Sequence, residues 1–118
     1  MNVIGSRPDG WWRDRRGAIE VLVDRLALRV ARQPTPTTVV FDGRPFAMPA
    51  GLPAPLEVRF ATRGGPHAAD ADIAQLVADS AHPAEILVVT SDAELAGRVR
   101  SLGARVQGAG SFRRELER

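Results

Sequence analysis

Cysteine, lysine and tyrosine are all missing from this chain of 118 residues. Without Cys there is no disulfide framework and no thiolate metal site. That absence fits a reducing compartment, and the chain is expected to be cytoplasmic. Long apolar runs are missing too: none approaches the ~20 residues needed to cross a bilayer. The stretch from Met1 to Arg16 lacks the apolar segment of a secretory signal, so no membrane partner is expected. The lack of Lys and Tyr explains an extreme pI of about 10.8. All 16 cationic side chains are Arg and the net charge is only +2. A sum that small is not by itself a signature of nucleic-acid binding.

What is present suits one domain spanning residues 1–118. A chain of this size buries roughly two-thirds of its unfolded surface, enough for one core without staples. Asn2-Val3-Ile4 reads as the stub of an apolar strand, and Pro8-Asp9-Gly10 marks a loop. Asp14 is placed to cap a helix running to about Arg32, with Ile19, Leu22, Val23, Leu26 and Val30 as its buried stripe. Thr37 to Phe41 and Leu56 to Phe60 read as strands on either side of a Pro-rich loop. A helix is expected from Ala69 to Ser80 and a strand from Ile86 to Thr90. A further helix should start at Ser91 or Asp92 and end at Leu102, with Gly103 at its C′ position. Ala104 to Gln107 reads as a short strand, and Ser111 as the cap of a last helix. Strands alternating with helices imply a three-layer α/β domain with a mostly parallel sheet.

The charges are unevenly distributed. From Gly64 to Gly97 there are six acids and no Arg, whereas Arg98 to Arg118 holds six Arg against two Glu. Arg7, Arg13, Arg15 and Arg16 cluster near the start. Acidic and Arg-rich segments of this kind can hold a divalent cation and a polyanion together, or can be ordinary solvated faces.

In open parallel sheets ligands bind beyond the carboxyl ends of the strands. Asp42 follows the strand ending at Phe41, Asp92 follows the strand ending at Thr90, and Asp70 opens a helix after the Gly-rich loop. Carboxylates gathered at one edge repel one another unless a cation bridges them, and Mg²⁺ suits such a donor set. Each acid also has a structural reading: Asp92 as a helix N-cap, Asp70 as a first-turn acid, Asp42-Gly43 as a turn. His67 and His82 lack metal-ligand spacing.

Taken together, these segments resemble the YacP-like NYN domains of the PIN-like nuclease superfamily. Asn2-Val3-Ile4-Gly5 is similar to the tail of the opening Asp-Gly-x-Asn-hydrophobic-Ile-Gly motif. Ser6 to Arg15 resembles the extended loop after it. Val39 to Gly43 is similar to the second strand, Ala69-Asp70-x-x-Ile73 to the Ala-Asp segment, and Thr90-Ser91-Asp92 to the Thr-Ser-Asp strand end. The resemblance covers nearly the whole chain. It implies a PIN-like fold that cleaves or grips single-stranded RNA with one or two Mg²⁺ or Mn²⁺ ions, and it makes the ribosome a candidate partner. Carried over, Asp70 and Asp92 are the metal ligands and catalytic acids, with Asp42 at the outer edge of the site. Asn2 would orient the first acid or touch the phosphate. Arg7, Arg13, Arg15, Arg16 and Arg63 would contact RNA phosphates, and Trp11 and Trp12 would stack on bases.

One departure stands out. The family's first strand ends in Asp-Gly and here would lie before Met1. The resemblance therefore implies that the first central strand is largely missing, together with its catalytic Asp, and that the natural protein starts upstream at a Met other than Met1. Three functions compete on this basis: a metal-dependent ribonuclease, impaired or inactive in this chain without that strand; a non-catalytic RNA- or ribosome-binding module on the same fold; and an unrelated α/β domain such as a small-molecule- or phosphate-binding fold.

Overall fold

Alternation of apolar side chains along the strands fixes the two faces of the sheet. In the computed structural model, which describes residues 2–5, 15–42, 52, 55–61 and 68–117, five strands form one sheet: β1 (Asn2–Gly5), β2 (Thr37–Phe41), β3 (Leu56–Phe60), β4 (Leu87–Val89) and β5 (Arg105–Gln107). Val3, Val40 and Val88 point to one side and pack under α2 (Ala68–Asp79) and α3 (Ala93–Ser101). Ile4, Val39, Phe41 and Val89 point to the other and pack under α1 (Arg15–Arg32) and α4 (Ala109–Leu116).

All strand pairs are parallel and the spatial order is β3-β2-β1-β4-β5. The centre of the sheet is therefore held by Asn2–Gly5, the short apolar stub expected at the start of the chain. Those four residues pair with β2 on one side and β4 on the other. The Asn2 N–H donates to Pro36 O at 2.8 Å, which fixes the register at the start of the strand. Val3 and Ile4 are almost fully buried. Two apolar side chains on opposite faces are thus enough to tie this short strand into both cores.

The helices begin and end for local reasons. Ile19, Val23, Leu26 and Val30 form the buried stripe of α1, which stops where Pro34 removes a backbone donor. At the end of α3, Gly103 adopts φ +103°. Its N–H donates to Arg100 O at 3.0 Å, and the Ala104 N–H donates to Val99 O at 3.0 Å. This paired arrangement is a Schellman motif, and it needs the left-handed backbone that glycine adopts without a Cβ penalty. A Cβ there would also meet Pro83 Cγ at 3.2 Å, across the 3₁₀ turn Pro83–Glu85.

Helix α4 starts earlier than its sequence suggests. Gly108, not Ser111, is its N-cap residue, and the Phe112 N–H bonds back to Gly108 O at 3.1 Å. Ser111 lies within the helix, and its hydroxyl accepts from Gln107 Nε2 at 3.2 Å. The early start turns Phe112 into the core, where it is 3% exposed. The Arg29 guanidinium lies over the Phe112 ring, 4.9 Å from its centroid. Arg29 also pairs with Glu115 at 3.1 Å, and Arg25 with Glu117 at 3.7 Å. Among the described residues no helix is long and apolar enough to cross a membrane.

Candidate functional site

The strand order reverses between β1 and β4, which lie side by side although β4 is reached only after β2 and β3. In open α/β sheets this switch point leaves a crevice beyond the carboxyl ends of the strands. Helix α2 returns the chain over β1 and β2 and packs against α3. The starts of α2 and α3 thereby come to the same edge.

Asp92 is positioned by its neighbours on both sides. Its N–H donates to the Thr90 hydroxyl at 3.0 Å, and its Oδ1 accepts from the Leu95 N–H at 2.8 Å. It is the N-cap of α3. Asp70 sits in the first turn of α2. Acids in a first turn are favoured by the helix dipole by about 0.3–1 kcal/mol, so the structural reading of both acids holds. The same two residues also line one depression of about 290 Å³, together with Ala71, Glu94, Leu95 and Arg98. Capping and convergence are compatible, because a cap uses one carboxylate oxygen. Asp92 Oδ2 makes no hydrogen bond to a described residue.

Asp42 has a different place. Its Oδ1 accepts from the Ala69 N–H at 2.8 Å, which links the end of β2 to the first turn of α2. It does not line the depression that holds Asp70 and Asp92. Its carboxylate thereby supports the helix that carries Asp70.

Asn2 is not brought to the acids at all. It pairs with Thr37 and Leu87, the first residues of β2 and β4, whereas Asp42 and Asp92 follow the far ends of those strands. Four residues of strand separate Thr37 from Phe41, about 13 Å at the usual rise per residue. Asn2 is 8% exposed. Asn2 thus lies at the amino edge of the sheet, and the structure does not bring it together with Asp70 and Asp92.

The expected RNA-contacting cluster is reached only in part. Arg7, Trp11, Trp12, Arg13 and Arg63 lie outside the described residues, as does the side chain of Arg15, the first residue of α1. Arg16 is exposed and pairs with Glu20 one turn along α1, at 3.2 Å. Two residues of the depression were not singled out from the sequence, Glu94 and Arg98. Their spacing of four on α3 puts them on one helix face below Asp92, which is the signal that could have found them.

These features define a three-layer PIN-like α/β domain with acids at its switch point. The chain belongs to the YacP-like NYN domain family, whose model matches residues 2–118. Its fold is similar to that of Rae1 (YacP) from Bacillus subtilis, with a TM-score of 0.73 at 22% identity, covering 99% of this chain and 74% of that one. A point mutant of Rae1 gives a TM-score of 0.75 at the same 22% identity, covering 98% and 73% of the two chains. No curated protein matches the sequence.

Proposed function

We propose that this domain is a divalent-metal-dependent endoribonuclease acting on single-stranded RNA, with Asp70 and Asp92 at its metal centre. The observation that carries it is that both carboxylates line one depression beside the switch point. Family membership supports an RNA-acting fold. By the same resemblance the ribosome is a partner to test, and the cytoplasm is the compartment.

The donor chemistry fits Mg²⁺ or Mn²⁺. Such ions take oxygen ligands, keep several waters, and are commonly held by one or two carboxylates plus substrate phosphates. When bound, the ion lowers the pKa of an attacking water and neutralises charge growing on the phosphodiester. The chain's own residues prepare that site. Leu95 N–H and Thr90 Oγ1 hold Asp92 in place from two directions. Asp42 anchors the start of α2 and so fixes Asp70. A carboxylate held by packed elements loses little freedom on binding an ion, which favours a defined geometry.

The decisive experiment is cleavage of a labelled single-stranded RNA with Mn²⁺ or Mg²⁺. Asn caps helices as well as Asp does, so Asp92→Asn removes the ligand charge and leaves the fold. We expect loss of cleavage of about 100-fold or more, at least the effect of disturbing a metal's outer shell. Absence of cleavage by the unmutated protein with either metal would refute the ribonuclease.

One observation favours a second reading. Among the described residues no group of three or more His, Asp or Glu gathers tightly enough to hold a metal. A non-catalytic RNA- or ribosome-binding module on the same fold needs no such group. It predicts salt-sensitive RNA binding that survives Asp92→Asn and is accompanied by no metal-dependent cleavage.

A further inference from the structure

We infer that Arg98 is the phosphate-contacting residue of the Asp70/Asp92 depression, so that α3 supplies both an acid for the ion and a cation for the RNA backbone. This rests on the RNA-acting function proposed above.

Among the described residues, three carboxylates, Asp70, Asp92 and Glu94, line the depression, and Arg98 is the one cation that does. A bare acidic surface would repel a polyanion, so a backbone phosphate needs a positive group at the same place. Arg98 meets that need from a fixed platform. It lies in the last turn of α3, between a capped start and a Schellman end.

The guanidinium is also uncommitted among the described residues. Glu94 stands four residues before it, the spacing at which Glu and Arg on a helix readily pair. Arg16 and Glu20 show that this chain forms such a pair. Arg98 nevertheless makes no ion pair or hydrogen bond through its side chain to any described residue. On the opposite side of the domain, by contrast, Arg25 and Arg29 are tied to Glu117 and Glu115. A planar guanidinium with its donors unspent suits the two free oxygens of a phosphodiester.

Arg100 is the natural control. It is exposed on the same helix and does not line the depression. Both arginines carry one charge, so general electrostatic attraction predicts equal effects from either. Only a direct contact predicts a difference.

The test measures binding of a single-stranded oligouridylate across a series of salt concentrations, with the oligomer checked by gel to be intact at each point. Three variants are compared with the unmutated protein: Arg98→Ala, Arg98→Lys and Arg100→Ala. Loss of one phosphate contact on a single strand should reduce the salt slope by about 0.7. Arg98→Ala should show that reduction and bind about twofold to fivefold more weakly, the range for an exposed ion pair. Arg98→Lys should keep the slope, and Arg100→Ala should match the unmutated protein. Unfolding midpoints check that each variant is folded. Equal effects of Arg98→Ala and Arg100→Ala would overturn the assignment while leaving the proposed function standing. If the unmutated protein binds no RNA at any salt concentration, the proposed function fails and the role of Arg98 fails with it.

Discussion

The two helical layers use their charges in opposite ways. On the α1/α4 side, Arg25 and Arg29 pair with Glu117 and Glu115, and Arg29 also covers the ring of Phe112. Those charges dock a short terminal helix. On the α2/α3 side, Asp70, Asp92, Glu94 and Arg98 face one shallow depression, and neither Glu94 nor Arg98 is tied to a described neighbour. Asp92 spends one carboxylate oxygen on the α3 cap, whereas Glu94 and Arg98 contribute little to folding. The difference teaches that net charge was the wrong quantity to read. What matters is which charges the fold has already satisfied.

The largest effect expected on the docking side comes from Phe112→Ala. Truncating a buried Phe costs about 3–5 kcal/mol, and Phe112 is the buried anchor of α4. Chemical denaturation should show that loss, while metal binding at the other layer stays intact. A metal site lost together with α4 would break the separation between the layers.

On the other side, Gly103→Ala should cost about 1–2 kcal/mol, the penalty for a left-handed L-residue. The clash with Pro83 adds to it. Thermal unfolding would check it, and a neutral result would mean that α3 ends differently. Asp92 gives a smaller and more informative effect. Asp92→Ala should lower stability by about 1 kcal/mol through the lost cap, whereas Asp92→Asn should leave stability unchanged. Both should abolish any function that depends on the carboxylate charge. The smallest effect belongs to Glu115→Gln, at most about 1 kcal/mol, because the pair with Arg29 is partly exposed.

Much of the fold was legible in the sequence. The buried stripe of α1 and the β-branched run of β2 carry strong periodic signals. So does Gly103 at the end of α3. The start of α4 was misread because Ser111 looks like a cap, while the true N-cap, Gly108, makes no side-chain bond. The 3₁₀ turn Pro83–Glu85 is too short to leave a pattern. The central place of β1 depends on partners far along the chain, and four residues cannot announce it. The position of Asn2 at the amino edge likewise depends on register, which decides which end of a strand a residue occupies and is not local.

The site was legible in part. Asp70 and Asp92 follow strand–loop–helix junctions, where ligand residues gather in this architecture. Asp42 has the same local signature, yet its carboxylate turns to Ala69. Sequence spacing cannot tell a carboxylate aimed at a ligand from one aimed at a neighbouring helix. Arg98 was grouped with the Arg-rich tail because charge was counted along the chain, whereas on α3 it belongs with Glu94 and Asp92.

The central claim is that Asp70 and Asp92 share one divalent ion, and Mn²⁺ titration followed by electron paramagnetic resonance tests it most directly. Groups that act on one ion are non-additive when mutated. The unmutated protein should therefore bind Mn²⁺, Asp70→Asn and Asp92→Asn should each weaken binding severely, and the double variant should be scarcely worse than either. Equal Mn²⁺ affinity in the unmutated protein and the double variant would contradict it.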